Sequence, residues 1–162
     1  MAGSYVARGT LLWMLKTYKA VAYVLCRGRL LVFTQPDSPE AGVQVPAGTI
    51  RSEETPQQAV LRELEEETGI EDVLDLQPVG TASYDMTAYG RDEMQERHFF
   101  QMTPAAELPE RWRWYERHDG LAPPDPLELF WIPAESAAET LEAGQGELLH
   151  GALASGSRAA GA

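Results

Sequence analysis

GTIRSEETPQQAVLRELEEETGI, residues 48–70, is the stretch on which the reading of this 162-residue chain turns. Its middle spells a helix. Thr55 is a good N-cap, Pro56 suits the first helical position and Gln58 completes a capping box, while Gly69 stands where a left-handed residue ends a helix. At 100° per residue Val60, Leu61 and Leu64 gather on one side, which should therefore face a core. Glu63, Glu66 and Glu67 stand at i, i+3 and i+4, within about 100° of arc on one face. Like charges at that spacing repel, and a divalent cation reverses the problem, because Mg²⁺ is hard and takes carboxylate oxygens while keeping several waters. Glu65 points away as an ordinary solvated residue. Arg62 lies beside Glu66, where it can orient and partly neutralise an acid. On its own, a glutamate-rich face is most often solvated surface, so the surroundings have to decide.

Upstream, Val21–Leu25 and Leu30–Thr34 are apolar and β-prone and are separated by Arg27-Gly28, which reads as a hairpin. Pro36 to Gly42 reads as a loop, and Val43–Val45 as a short strand leading into Pro46-Ala47-Gly48. Downstream, strands are expected at Val79–Tyr84, Arg97–Met102, Arg111–Glu116 and Leu127–Ile132. A second helix is expected from about Ala134 to Ala143 and a shorter one around Glu147–Leu153. Strands bracketing one strong helix, with helix again at the end, predict an α/β fold: a mixed sheet covered on both faces. Residues 1–16 lack a clear period and read as an N-terminal arm, 17–153 as the domain, and 154–162 as a flexible tail.

Composition narrows the function. Hydrophobic residues make up 44% and charged residues 23%, which fits a globular chain and neither a disordered one nor a fibre. Thirteen basic against 25 acidic residues give a net charge of −12. That counts against binding a nucleic-acid polymer, which relies on Lys and Arg displacing counterions. Eight acids and one Arg between Glu53 and Asp72 concentrate −7 of this charge in the helical stretch. Such a segment handles phosphates if divalent cations sit between the two sets of negative charge. Cys26 is alone, so neither an intrachain disulfide nor a cysteine zinc site is available. The apolar run Leu11 to Leu15 is too short for a membrane span or a secretory signal. A soluble, cytoplasmic protein is the expectation.

Gly48, Glu54, Arg62-Glu63-Leu64, Glu66-Glu67 and Gly69-Ile70, at their spacings, resemble the Nudix box at every defined position. That motif reads G-x5-E-x7-R-E-U-x-E-E-x-G-U, with U aliphatic. On average residue frequencies these constraints coincide by accident roughly once in 10⁷ chains. The resemblance implies a Nudix-type α/β/α sandwich with a loop–helix–loop metal site. It also implies hydrolysis of a pyrophosphate bond in a nucleoside diphosphate linked to another moiety. It assigns Glu63, Glu66 and Glu67, with the carbonyl of Ala47, to divalent metal, usually Mg²⁺ or Mn²⁺, and makes Arg62 and Glu54 supporting residues. The alternatives are a Nudix-fold module that binds a nucleotide without cutting it, and an isoprenoid diphosphate isomerase, which would need a catalytic cysteine that Cys26, in a strand expected to be buried, does not suit. The partner expected is a small nucleotide-type diphosphate, with a homodimer left open and no membrane.

Family members often use a glutamate outside the box as general base. Glu96, at the entrance of the strand containing His98-Phe99-Phe100, is the favoured candidate here, with Glu93 as its rival; Glu63 could serve as base or as ligand, but neighbouring cations should keep its pKa low. Tyr84, Trp112 and Trp114 are candidates for stacking a substrate ring, although sheet packing is the commoner use of such aromatics. The three histidines, His98, His118 and His150, lack zinc-ligand spacing. The substrate subgroup stays open, since Pro78 comes too early for the proline of ADP-ribose enzymes, and Tyr84 and Tyr89 miss the spacing of dinucleoside polyphosphate enzymes.

Overall fold

Strand β1 (Leu15–Cys26) is the spine of the molecule. The computed structural model describes residues 15–159 except Asp119 and Leu121, with side chains through Ser155. Most of the expected N-terminal arm thus lies outside the described residues. β1 turns at Arg27 (φ 52°) and Gly28 (φ 74°) into β2 (Arg29–Thr34). Two consecutive positive φ values are what a tight two-residue hairpin requires. β1 and β2 stay paired only at Leu25–Leu30 and Cys26–Arg29 and then splay apart. Beyond that point each strand builds its own half of a mixed seven-stranded sheet. On one side β1 pairs antiparallel with the short β3 (Ala47–Thr49) and parallel with β5 (Glu93–Pro104), which in turn carries β4 (Val73–Asp85). On the other, β2 pairs with β7 (Pro126–Pro133), which carries the edge strand β6 (Arg111–Tyr115).

Both faces are covered, which explains why β1 and β2 read as apolar runs rather than alternating ones. Ala20, Ala22, Val24, Leu31, Phe33, Phe100, Leu127 and Leu129 form one core with Ala59, Val60 and Leu64 of helix α1 (Pro56–Thr68). Val21, Tyr23, Leu30, Val32 and Phe99 form the second core. That one is closed by Ala134 and Ala137 of the single-turn helix α2 (Ala134–Ala137), and by Leu149 and Ala152 of α3 (Leu149–Ala159). The result is the α/β/α layering expected from the sequence.

The differences from expectation are local. The third strand lies at Ala47–Thr49, while Val43 and Gln44 make only isolated bridges to Leu141 and Phe33. The helix expected over 134–143 stops after one turn, and the final helix continues to Ala159, into the stretch expected to be tail. Beyond it the chain turns back through two glycines: Gly144 has φ 67°, and a side chain at Gly146 would meet the Ala138 backbone at 2.6 Å. Cys26 closes β1 half-buried at the hairpin, not inside the core.

Candidate active site

The rotation of α1 is set at both ends. Thr55 Oγ1 accepts from the Gln58 N–H at 3.1 Å, Gln58 Oε1 accepts from the Thr55 N–H at 3.0 Å, and Gly69 closes the helix at φ 79°. With Ala59, Val60 and Leu64 locked into the sheet, Glu63 and Glu67 turn inward and are buried. Glu67 Oε1 accepts the Ala47 N–H at 2.8 Å. Glu63 lies against Gly48 so closely that an added Cβ would stand 1.9 Å from its Cδ. The glycine of the motif is therefore a cradle for a carboxylate. Gly48→Ala should leave the fold intact, since the flexible end of Glu63 can swing away, yet weaken divalent-ion binding about 10- to 100-fold, the size of effect seen when a ligand loses its support. Metal titration followed by circular dichroism tests both halves, and wild-type affinity in the alanine variant would refute the cradle.

Arg62 is the hub of the cleft. Its Nε and Nη2 grip Glu54 at 2.6 and 2.8 Å, Nη2 reaches the Thr49 carbonyl at 2.9 Å, and Nη1 contacts Glu63 at 2.7 Å and Glu66 at 3.1 Å. A planar fork with five donors suits this task, and a lysine would not. Held this way, Glu54 is drawn down to about 2 by Arg62. Among the described residues no three acids converge on one point as a ready-made cage. Arg62 occupies the space between Glu63 and Glu66 instead. The donor set nevertheless fits a hard cation: oxygens only, on a backbone edge that a Cβ would fill.

An acid outside the motif completes the cleft. Glu116, one residue past β6, lines it together with Lys19, Ala47, Gly48, Glu63 and Glu66. Trp112 and Trp114 place it there: their indole N–H groups donate to the Thr68 and Glu66 carbonyls at 3.1 and 3.0 Å, and the Arg117 N–H donates to the same Glu66 carbonyl at 2.9 Å. These bonds satisfy carbonyls that the end of α1 leaves unpaired. The Trp114 ring also lies where a Cβ on Gly69 would stand, 2.7 Å away.

Burial dominates the electrostatics. It pushes Glu63 above the ordinary carboxylate value despite Arg62, and pushes Glu67 well above it, with Glu116 and Glu63 adding repulsion. Glu116 is raised too, by burial and then by Asp125. Carboxyls whose folded pKa is raised favour the folded state while protonated, and that stability is lost as pH rises from the ordinary value of 4.5 through the raised values. Glu54 and Glu93 are shifted downward, so their contributions are lost only below 4.5. From these carboxyls, metal-free protein should melt at higher temperature near pH 5.5 than at pH 7.5. The melting-temperature gain from added Mg²⁺ should be smaller at pH 5.5 than at pH 7.5, because protons compete for the same oxygens. Thermal melts at the two pH values, with and without metal, check both signs.

The remaining candidates separate. Glu96 shares its strand face with His98 and Phe100, away from the cleft, and pairs with Lys16 at 3.4 Å. Glu93 lies on the opposite face of β5, buried; burial raises its pKa, but Thr17 at 2.5 Å, Gln95 at 3.3 Å and Arg91 together hold it below the ordinary value. Trp112 and Trp114 do not line the cleft, because they pack on the end of α1 and the core beneath it. Tyr84 lies on the far side of β5, its ring 4.3 Å from the Arg97 guanidinium. Two residues escaped the sequence reading. Glu116 carried one usable signal, an acid directly after a strand whose alternating tryptophans needed something to pack on. Lys19, whose Nζ donates to Thr49 Oγ1 at 2.6 Å, carried none.

A family model described as the NUDIX domain matches residues 16–151. A search of the curated proteins finds none that matches. Among solved structures, a MutT NUDIX hydrolase from Burkholderia pseudomallei is 21% identical, with a TM-score of 0.62 over 83% of this chain and 96% of that one. The dihydroneopterin triphosphate pyrophosphohydrolase of E. coli is 18% identical, with a TM-score of 0.61 over 83% and 91%. The E. coli ORF135 protein is 24% identical, with a TM-score of 0.56 over 87% and 91%. These likenesses are of fold. Among the described residues no helix is long and apolar enough to cross a membrane.

Proposed function

The chain belongs to the Nudix family, and from that premise we propose that it hydrolyses a pyrophosphate bond in a nucleotide-type substrate with the help of Mg²⁺ or Mn²⁺. One observation carries the reading: Glu63, Glu66 and Glu116 line one cleft, with Glu67 buried behind its Ala47 wall, on three separate supports, the Gly48 cradle, the Ala47 N–H and the tryptophan-anchored end of β6. Residues 17–153 make up the catalytic domain in this reading, and the setting is cytoplasmic.

Glu63, Glu66 and Glu67, with the Ala47 carbonyl, would hold the divalent ion. Bound there, it supplies charge neutralisation of the pyrophosphate oxygens and a more acidic water. The chain's own residues do the rest. Glu116, its pKa raised by burial and then by Asp125, is better suited to take a proton than an ordinary surface carboxylate. Arg62 holds Glu63 and Glu66 in orientation while anchored on Glu54. Lys19 stands on the opposite wall, where its ammonium would meet a phosphate oxygen. A panel of nucleoside triphosphates, sugar nucleotides, ADP-ribose, dinucleoside polyphosphates and pteridine triphosphates, assayed with Mg²⁺ and with Mn²⁺, tests the reading. Cleavage within the pyrophosphate on any of them supports it. Binding without cleavage at saturating metal would instead make the protein a nucleotide-binding module.

A further inference from the structure

A second cavity of about 180 Å³ opens beside the carboxylate cleft, and the two share Lys19, Ala47 and Gly48. The two are thus immediate neighbours. The floor of the second is the strand face of Lys19 and Val21 on β1 and of Gln95 and Arg97 on β5, with Lys19 and Arg97 direct partners in the parallel register. Met86 and the turn from Ala143 to Gln145 close the far end.

Arg97 is the unusual residue here. It is 3% exposed, and a buried charge normally faces a counter-charge. Its hydrogen-bond partners are neutral, Gln95 Oε1 at 3.0 Å, the Ala143 carbonyl at 2.5 Å and the Met86 thioether at 3.7 Å, and the carboxylate of Glu147 acts on it only through space. Of the five N–H donors of a guanidinium, two have no acceptor among the described residues, and Nη2 meets only sulfur. Gln145 adds to the imbalance. Its Oε1 is fixed by the Val45 N–H at 2.8 Å, which leaves its Nε2 without a described acceptor on the cavity wall. The cavity is rich in donors and asks for acceptors. It also asks for a flat group. The Tyr84 ring covers Arg97 at 4.3 Å, so the guanidinium offers its edge; Arg91 also lines the cavity but is already paired with Glu93, and Val21 and Met86 supply apolar surface that suits a ring face better than a phosphate.

We propose that Arg97 is a specificity-determining residue that reads two adjacent acceptors on an oxopurine ring, so that guanine-type nucleotides are preferred to adenine-type ones. The inference rests on the hydrolase reading only in placing the substrate's diphosphate in the neighbouring cleft. A guanidinium fork matches guanine O6 and N7 bidentately, whereas adenine turns an amino donor toward it. Uracil offers one such oxygen and should rank between them.

The test is calorimetric binding of non-hydrolysable methylene-bridged GTP and ATP analogues to the full chain, together with kcat/KM for GTP, UTP, ATP and CTP. The guanosine analogue should bind about tenfold or more tightly than the adenosine one, and kcat/KM should follow the order GTP, UTP, then ATP and CTP. Arg97→Lys, which keeps the charge and loses the fork, should narrow the guanosine-to-adenosine ratio to within about threefold. Should that variant fail to fold, the wild-type ratios still decide. Equal affinity for the two analogues, or no affinity for either, overturns the proposal. A guanosine preference without hydrolysis would leave it standing and remove the hydrolase reading; hydrolysis without base preference would do the reverse.

Discussion

Glu67→Gln is expected to cut turnover about a thousandfold, while the metal-free variant melts at the same temperature as the wild type or higher. Glu67 is 5% exposed and faces Glu63 and Glu116, so its ionised form is costly in the empty protein. Glutamine preserves shape, and its Oε1 still accepts the Ala47 N–H that Glu67 holds at 2.8 Å. Stability therefore loses nothing and sheds a repulsion. In the proposed reading function loses a charged oxygen ligand, and a metal's charge stabilisation of a pyrophosphate transition state is worth several kcal/mol, each ~1.4 kcal/mol being tenfold in rate. The thermal readout separates the two roles. Wild-type protein with metal at 100 times its Kd gains about 2.7 kcal/mol, and the variant should gain far less at the same concentration. Glu65→Gln is the control, because Glu65 lies on the exposed side of α1, 3.5 Å from Arg117, in a surface pair worth little. A Glu67→Gln protein that melts early without metal, or a Glu65→Gln protein equally inactive, would show that the helical face has been misassigned.

Why α1 and its acids were legible, and the rest of the cleft was not, follows from the range of the interactions. The helix is written locally: Thr55, Pro56, Gln58 and Gly69 act within one turn of themselves, and the burial of Leu64 follows from its place among neighbours three and four residues away. The hairpin at Arg27-Gly28 is local in the same way. Glu116 is not. It reaches the acids of α1 because two indoles and one backbone N–H, more than 40 residues along the chain, tie the end of β6 to the end of the helix. No periodicity within either segment reveals that tie. The same indoles looked free to stack on a ligand because a tryptophan in a strand does not disclose what its N–H donates to. The sequence favours Glu96 over Glu93 only for its place at the strand entrance, and it takes the register of β5 to separate them. Their spacing of three puts them on opposite faces of the sheet, and only the pairing of β1 with β5 shows which face looks where. The end of the chain misled for another reason: after Ala137 the chain turns back instead of continuing as helix, and that tight return, past Ala138 and Tyr84 at Gly146 and Gly144, is a tertiary feature no local propensity reveals.

The division of labour outside the motif yields the second large effect: Glu116→Gln should lower kcat about a hundredfold, and Glu96→Gln should leave it within about twofold. A positioned general base contributes roughly 10²- to 10⁴-fold. It works best when its pKa approaches the working pH, and Glu116 is pushed that way by burial and by Asp125. Its backbone is fixed by donation from its own N–H to the Asp125 carbonyl at 3.0 Å, and it shares the cleft with Glu63 and Glu66. Glu96 lacks the location; its side chain meets Lys16 at 3.4 Å, on the strand face that leads to His98. If Glu116 takes the proton, its variant should lose the acidic limb of the kcat–pH profile while binding Mg²⁺ nearly as the wild type does. If it ligates the metal instead, Mg²⁺ affinity and kcat fall together and the limb survives. Stopped assays from pH 5 to 9 across a metal titration, on both variants, separate these outcomes. Full activity in Glu116→Gln, or a collapse in Glu96→Gln, would mean that the base lies elsewhere and that strand β5 is drawn toward the cleft only when substrate binds.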